Sequence, residues 1–285
     1  LFSAFGYATT VYDPHLKNRE LATKGIDHIW RSLDSLFDNL TSKRPVEFSD
    51  KLDALKASTF IQENCPEDLT LKQKVISDLE NIVSDTTIIA SSTSSFLPSE
   101  LQKGCIQPER IIVGHPMNPP HLIPVVEIVL GKVKNQEIAN RAKSFYSCLK
   151  RVPVQIKKEM RGHLANRLTS ALFREAVYLI SEDIADVEDV DAVISNGPGL
   201  RLALLGPHMN YHLGGGEGGY RYYLEHLGPS QEARWKTLGQ TPLTPELKEK
   251  LIKGIEKQNI SMTELKAKRD NSLIEILKTK KANSL

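Results

Sequence analysis

The fold is decided by a stretch that reads Ser91-Ser92-Thr93-Ser94-Ser95, then Gly114-His115-Pro116-Met117-Asn118-Pro119-Pro120, and then Glu127. The parts follow or lie within short runs rich in β-branched residues, at 87–90, 111–113 and 125–130. Such runs are typical of buried strands. A hydroxyl, an imidazole and a carboxylate are therefore expected near strand ends, where open α/β sheets place their chemistry.

Strand and helix patterns alternate on both sides of this stretch, from Tyr7 to about Ile156. Further strands are predicted at 7–12, 58–62 and 152–156, and helices after Asp13-Pro14, from Pro66 and at 135–149. Polar residues and Pro45 predict that 41–50 is a loop. The alternation predicts an α/β fold, a Rossmann-like doubly wound and mainly parallel sheet with helices on both of its faces.

The pattern changes after Gly162, because apolar residues then recur at helical spacing, at Leu164, Leu168, Leu172, Ala176 and Leu179. More helices are predicted at 187–195, 220–226, 245–258 and 261–280. We therefore expect two domains, a Rossmann-like domain over 1–157 and an all-helical domain over 158–285.

Composition excludes several classes of protein. The 285 residues carry 37 Lys and Arg against 35 Asp and Glu, a net charge of +2, which argues against nucleic acid as the main partner. No apolar run approaches the roughly 18 residues that a membrane span needs. The three cysteines include no CxxC pair, so neither a disulfide framework nor a metal site is expected. A reducing, cytoplasmic location is the simplest interpretation.

Asp13 comes directly after the first predicted strand. In a dinucleotide-binding unit, an acidic residue at the end of a strand binds the adenosine ribose hydroxyls. In such a unit this residue comes about 20 residues after a glycine fingerprint. Only twelve residues precede Asp13, and no GxGxxG occurs in the sequence. We expect the fingerprint and a first strand to lie upstream of residue 1, and NAD rather than NADP as cofactor. The alternative is a simple Asp-Pro turn.

The glycine cluster Gly214-Gly215-Gly216-Glu217-Gly218-Gly219 follows no predicted strand and lies between predicted helices. A hinge or close-packed loop is therefore favoured over a phosphate site. Tyrosines near it could line a pocket or be half-buried core, and they are Tyr211, Tyr220, Tyr222 and Tyr223.

His115 is the candidate general base, since it stands between a strand and a proline-rich turn with Glu127 on the next strand. Taken alone it could equally be a structural histidine. The weight comes from its combination with Ser94 and with Asn166, which begins the first long helix of the second domain. An interior Asn is otherwise typical of a helix-helix hydrogen bond.

The sequence resembles the 3-hydroxyacyl-CoA dehydrogenase superfamily over almost its whole length, in the order and nearly the spacing of the motifs. These are Ser92-Thr93-Ser94-Ser95, Gly114-His115-Pro116-Met117-Asn118-Pro119, Val126-Glu127 and Gly162-His163-Leu164-Ala165-Asn166-Arg167-Leu168. The segments 199–217 and 264–271 are more similar to the branch that contains L-carnitine dehydrogenase and lambda-crystallin, an L-gulonate 3-dehydrogenase.

This resemblance implies an NAD-dependent dehydrogenase that forms a homodimer through its helical domain. It implies a catalytic set of His115, Glu127, Ser94 and Asn166. The implied cofactor contacts are Asp13, Glu67, Lys72, Ser94 and Asn118. His115 would take the proton of a 3-hydroxyl as hydride leaves for the nicotinamide, and Glu127 would stabilise the imidazolium.

The expected substrate is a small 3-hydroxy acid similar to carnitine or L-gulonate. Acyl-CoA enzymes carry a serine and a lysine where this chain has Ile29 and Leu36, so this chain offers fewer polar contacts to bind CoA. Asn166 matches the acyl-CoA and gulonate enzymes rather than the carnitine enzymes, which have Asp there. The alternatives are an L-3-hydroxyacyl-CoA dehydrogenase of fatty-acid β-oxidation and a non-catalytic, crystallin-like or truncated protein.

Overall fold

The structure is a computed structural model and describes residues 1–37 and 40–283. It divides into two compact units, Leu1–Arg167 (unit 1) and Leu168–Leu285 (unit 2). The domain boundary between 157 and 158 stays a prediction, and residues 284 and 285 of the predicted second domain lie outside the described residues.

Unit 1 alternates strands with helices. In chain order its elements are β1 (Thr9–Tyr12), α1 (Leu16–Phe37), β2 (Val46–Ser49), β3 (Phe60–Glu63), α2 (Leu69–Glu80), β4 (Ile88–Ser91), α3 (Pro98–Leu101), β5 (Ile111–Pro116), β6 (Val125–Leu130), α4 (Gln136–Cys148) and β7 (Val152–Ile156). One sheet pairs β1 with β2, and a five-stranded sheet has the order β3-β4-β5-β6-β7. Every pairing is parallel except that of β5 with β6. The Rossmann-like, mainly parallel fold is confirmed.

The central strands β4, β5 and β6 of the five-stranded sheet are buried on both faces, which explains their continuous β-branched runs. Ile89 and Ile111 belong to the cluster that contains Ile76 of α2. Their neighbours Ile88 and Ile112 join the opposite cluster, which contains Ala139 and Ala142 of α4. Successive side chains of a strand point to opposite faces. Helices α2 and α4 therefore cover opposite faces of one sheet.

The predicted loop over 41–50 is wrong in part, because it contains β2. Only Val46 and Phe48 alternate with polar residues here, and Pro45 precedes them, so the local strand signal is short. β2 forms because β1 supplies a parallel partner in the register Thr9 to Val46 and Val11 to Phe48. Pairing with a distant strand, rather than local pattern, makes this segment extended.

Local capping sets two further boundaries. The helix predicted to open at Pro66 begins at Leu69, because the Asp68 side chain accepts a hydrogen bond of 2.8 Å from the Leu71 amide. The apolar start of the chain forms a 3₁₀ helix, Ser3–Phe5, that ends at Gly6 with φ +86°. Glycine suits this left-handed position.

The rest of the chain is helical, as predicted. Its elements are α5 (Ala165–Ser181), α6 (Val187–Asn196), α7 (Pro198–Leu204), α8 (Pro207–Gly214), α9 (Gly219–His226), α10 (Gly228–Trp235), α11 (Pro245–Glu256) and α12 (Met262–Ala282). The short helices α7, α8 and α10 were not predicted, and each has a proline in its first turn. The glycine cluster joins α8 to α9 in close packing, since a Cβ on Gly215 would lie 1.9 Å from the Gly219 carbonyl oxygen.

Within residues 1–37 and 40–283, no helix combines the length and the apolar character that crossing a membrane requires.

Candidate active site

His115 and Glu127 face each other across neighbouring strands. β5 and β6 run antiparallel in a register that places His115 opposite Glu127. Residues opposite one another in such a pair project to the same side of the sheet. Nδ1 of His115 lies 2.8 Å from Oε2 of Glu127, and both side chains are buried. The contact expected from the sequence is present.

The bond to Glu127 decides which nitrogen of His115 is basic. An ionised carboxylate only accepts hydrogen bonds, so Nδ1 carries the ring proton and Nε2 keeps its lone pair. Nε2 lies 3.1 Å from Oγ of Ser94. Because Ser94 is exposed while His115 is buried, the basic nitrogen is turned toward the accessible side of the site.

The second oxygen of Glu127 is held by backbone amides at the start of α5. Oε1 accepts hydrogen bonds from the amides of Leu164, at 2.8 Å, and Ala165, at 3.0 Å. Burial alone raises the pKa of the Glu127 carboxyl, but the bonds from His115 and from these amides outweigh it and hold the pKa below its ordinary value of 4.5. Glu127 is therefore a fixed anion behind the base.

Asn166 lies half-buried in the first turn of α5. It directly follows Ala165, whose amide binds Glu127. The chain thus brings Asn166 to the neighbourhood of the His115 pair through the backbone of one turn. Its role as a donor to the substrate stays a prediction.

Glu67 organises the loop that carries Ser94. Its Oε1 accepts hydrogen bonds from Oγ1 of Thr93, at 2.6 Å, and from the amides of Ser94, at 3.0 Å, and Ser95, at 2.8 Å. Burial raises the pKa of the Glu67 carboxyl, but the bonds from Thr93 and Ser95 and the charge of Lys72 together lower it. Glu67 therefore fixes the backbone of the loop that carries Ser94, and its contact with the cofactor stays a prediction.

Lys72 is enclosed by acceptors inside unit 1. Its ammonium lies 2.9 Å and 3.2 Å from the two carboxylate oxygens of Glu63 and 2.9 Å from the carbonyl oxygen of Cys65. Glu67 is 3.5 Å away, and the Ser91 hydroxyl also donates to Glu63. An ammonium has three donors, so these contacts use them. The predicted contact of Lys72 with the cofactor stays a prediction, and its visible partners lie within the protein.

Asp13 comes directly after β1 and is half exposed. Its carboxylate accepts hydrogen bonds from the His15 amide, at 2.8 Å, and from the Asn18 side chain, at 3.0 Å. The pKa of the Cys65 thiol is raised to about 11 by burial first, then by Glu63, with a smaller contribution from Asp13. The charge of Asp13 therefore reaches the loop after β3, although β1 and β3 belong to different sheets.

The groups at these strand ends fit NAD. Asp13 is a carboxylate that can accept hydrogen bonds from ribose hydroxyls, and its charge disfavours a 2′-phosphate. Asn118, directly beyond β5, is exposed and can donate and accept. Ser94 carries an exposed hydroxyl against the base. The individual cofactor contacts stay predictions.

Sequence reasoning missed the group that fixes the backbone before His115. The Tyr146 hydroxyl donates to Oε1 of Gln62 at 2.6 Å, and Nε2 of Gln62 donates to the Gly114 carbonyl oxygen at 2.9 Å. A Cβ on Gly114 would lie only 2.1 Å from the Tyr146 hydroxyl oxygen. The glycine beside His115 was the available signal, but nothing local identified Tyr146 as its neighbour.

Glu63 and His163 were also missed as parts of the site. Glu63 ends a predicted strand as Asp13 does, so the strand-end rule that singled out Asp13 could have found it. His163 lies inside a motif quoted for its Asn166, and its own contacts, described below, are with residues distant in sequence.

The tyrosines near the glycine cluster stack on neighbouring rings. Tyr211 and Tyr223 stack with ring centroids 4.5 Å apart and share Gln231 as a hydrogen-bond partner. Tyr222 stacks on His226 at 3.9 Å.

Across the part of the chain that the structure describes, no group of three or more His, Cys, Asp or Glu could hold a metal ion.

Comparison with protein families matches both parts of the chain. Residues 1–160 match the model described as the 3-hydroxyacyl-CoA dehydrogenase NAD binding domain, and residues 162–258 match the 3-hydroxyacyl-CoA dehydrogenase C-terminal domain. NAD is thus the cofactor of the first part of the chain.

Curated relatives agree with these matches. The chain is 40% identical over 280 residues to the L-carnitine dehydrogenase of Oceanobacillus iheyensis, covering 97% of this chain and 91% of the relative. It is 41% identical to the L-carnitine dehydrogenase of Bacillus cereus, covering 97% and 86%. A solved NAD+-dependent dismutase, 5-formyl-3-hydroxy-2-methylpyridine 4-carboxylic acid 5-dehydrogenase, shares the fold with a TM-score of 0.81, at 24% identity over 96% of this chain and 91% of that one.

Proposed function

We propose that this chain, which belongs to the 3-hydroxyacyl-CoA dehydrogenase family, oxidises the 3-hydroxyl of a small 3-hydroxy acid, with L-carnitine as the first candidate. The family makes it an NAD-dependent dehydrogenase. The observation that carries the proposal is the connected series Ser94, His115 and Glu127, which ends at an exposed hydroxyl and begins at a buried anion.

In this mechanism Nε2 of His115 takes the proton of the substrate hydroxyl. The lone pair of Nε2 faces Oγ of Ser94 at 3.1 Å, so the substrate oxygen is placed beside both atoms and within hydrogen-bonding reach of each. As the proton arrives, the imidazole becomes an imidazolium whose Nδ1–H already donates to Glu127. The fixed anion therefore stabilises the charge that develops during the reaction.

Ser94 and Asn166 hold the substrate oxygen in this proposal. When the substrate hydroxyl donates its hydrogen bond to Nε2 of His115, the Ser94 hydroxyl donates to the substrate oxygen. The side-chain amide of Asn166, in the first turn of α5, donates to the same oxygen. NAD, when bound, supplies the acceptor for the hydride that leaves the carbinol carbon. Asp13, Glu67, Ser94 and Asn118 would hold the cofactor, and the buried Lys72 would act through its contact with Glu67.

Two observations favour a small acid over an acyl-CoA. The relatives of about 40% identity are named L-carnitine dehydrogenases. Leu36, at a position where acyl-CoA enzymes carry lysine, is 6% exposed and belongs to the core. No cation is therefore available there for a CoA phosphate.

The substrate is tested by NADH formation with L-carnitine, L-gulonate and 3-hydroxybutyryl-CoA. We expect turnover of L-carnitine with the highest kcat/KM. A strong preference for the CoA substrate would instead establish a β-oxidation dehydrogenase. A folded protein that shows no thermal shift with saturating NAD would favour the non-catalytic, crystallin-like alternative.

The base is tested with His115→Gln, which keeps a polar side chain but cannot take the proton. His28→Gln is the matched control, because His28 is an exposed residue of α1. We expect the first variant to lose activity and the second to keep it. Undiminished oxidation by His115→Gln would show that another group takes the proton.

We also propose that the protein is a homodimer and is located in the cytoplasm. Unit 2 exposes many large apolar side chains, among them Leu168, Leu200, Leu213, Trp235 and Met262. Such surfaces are typical of protein interfaces. Light scattering coupled to size exclusion tests the dimer, and a monomeric mass at micromolar concentration would contradict it.

A further inference from the structure

His163 is a fully buried histidine beside the candidate site, and none of the functions above uses it. It lies in the turn before α5 with φ +49°, directly after Gly162 with φ +76°. Its Nε2 is 3.0 Å from the carbonyl oxygen of Thr93. A carbonyl oxygen only accepts, so Nε2 carries the proton and donates it to this bond.

The other ring nitrogen of His163 has no partner among the described residues. Nδ1 is buried and makes no hydrogen bond in that part of the chain. Protonating it would bury an N–H and a positive charge without an acceptor. Burial lowers the pKa of His163, in spite of the Thr93 bond and the nearby carboxylates of Glu127 and Glu67. His163 is therefore neutral, and its single N–H, on Nε2, donates to the Thr93 carbonyl oxygen.

This hydrogen bond joins the two backbone segments that hold His115 at its ends. A second bond between these segments lies farther from His115, where Nη1 of Arg161 donates to the Ser95 carbonyl oxygen at 3.2 Å. Thr93 precedes Ser94, whose hydroxyl meets Nε2 of His115. His163 precedes Leu164, whose amide binds the carboxylate that meets Nδ1. The rings of His115 and His163 lie 5.0 Å apart at 51°, so His163 also packs against the base itself.

We propose that His163 is a positioning residue for the reaction, and that its Nε2–H bond to Thr93 holds Ser94 and Glu127 in register on the two sides of His115. The inference rests on the proposed function, because it assumes that His115 is the base. The base needs a lone pair aimed at the substrate and a carboxylate aimed at Nδ1. Ser94 comes from the loop after β4, whereas the amide of Leu164 that fixes the carboxylate comes from the turn before α5. Without the bond to Thr93, the two segments keep outlying contacts such as that of the exposed Arg161 side chain with Ser95, and these are too flexible to fix Ser94 against the turn.

The test compares His163→Met with His163→Gln, which have side chains of nearly equal length and differ in the terminal donor. A misplacement of about 1 Å costs on the order of 100-fold in rate, so we expect kcat of His163→Met to fall by about 10- to 100-fold. The KM values for NAD and substrate should change less than kcat, because the binding contacts other than that of Ser94 are kept. His163→Gln can donate to Thr93 and should recover most of kcat.

Two outcomes would overturn the proposal. One is a His163→Met variant with kcat close to that of the unmodified enzyme. The other is an equal loss in both variants while each unfolds at the unmodified temperature, because size rather than the donor would then matter.

A measurement on the unmodified protein keeps the proposal testable if the variants do not fold. Nitrogen-15 NMR of labelled histidines should show His163 neutral, with the proton on Nε2, at neutral pH. A protonated ring, or a proton on Nδ1, would contradict the bond to Thr93. This result does not depend on which substrate is oxidised, so failure of the substrate assay and failure of this inference can be told apart.

Discussion

Two hydrogen-bonded groups at strand ends of unit 1 each contain a buried pair of ionisable side chains, and they differ in whether one end is exposed. The open series, Ser94, His115 and Glu127, ends at an exposed hydroxyl. The closed pair, Glu63 and Lys72, uses every ammonium donor inside the protein. Both groups are desolvated, but only the first leaves an atom free to react. Access to one end of a network, rather than burial or charge, separates a reacting group from a supporting one.

The largest expected effect breaks the open series at its base. General base catalysis contributes about 100- to 10,000-fold, so His115→Gln should lower kcat by that range with little change in thermal stability. Steady-state kinetics beside thermal unfolding separates the two quantities. If His115→Gln lowered thermal stability but kept its activity, His115 would be a structural residue rather than the base.

The closed pair should give the opposite result. Removing one partner of a buried pair costs about 3 to 5 kcal/mol, so Lys72→Met should lower the free energy of unfolding by that amount. Urea unfolding measures it. Lys74→Met is the control, because its exposed pair with Asp78 is worth only about 0.5 kcal/mol.

The double variant Lys72→Met with Glu63→Gln tests the same pair, because glutamine keeps an acceptor for the Ser91 hydroxyl. Both charges are then absent, so most of the lost stability should return. A double variant as unstable as Lys72→Met alone would contradict the account of Lys72 as a partner of Glu63.

A smaller effect is expected from the backbone of the open series. Gly114→Ala places a methyl group against the Tyr146 hydroxyl, which should cost about 1 to 3 kcal/mol in unfolding free energy and lower kcat through His115. Adding Tyr146→Phe removes the clashing oxygen and should restore part of both. Recovery of neither would mean that Tyr146 is not the obstacle.

The smallest effect is a dependence of stability on pH. The native pKa of Glu127 is below its ordinary value of 4.5. Its ionised form therefore stabilises the fold fully above about pH 4.5, and this contribution is lost as the pH falls through the native pKa. The difference in thermal midpoint between the unmodified protein and Glu127→Gln should narrow on acidification below that pH. A difference that stays constant would show that the Glu127 charge does not stabilise the fold.

Local pattern served well where an element carries its own signal. The strand over 125–130 and the helix over 136–148 lie where their pattern indicated. The strand predicted at 111–113 continues to Pro116, so His115 lies within it, because β6 pairs with this part of β5. β2 was missed because its extended form depends on β1, which lies far away in sequence. The helices α7, α8 and α10 were missed because each is short and begins at a Gly-Pro pair, which in local sequence indicates a turn.

The sequence by itself determined the alternating fold class, the helical second part and the polar residues that follow the strands, since periodicity and strand ends are local properties. Only the tertiary structure decided which polar groups meet. A register shift of one residue would turn Glu127 to the other face of the sheet, away from His115. The partners of Lys72 and His163 depend equally on contacts between distant segments, and local sequence carries no record of those contacts.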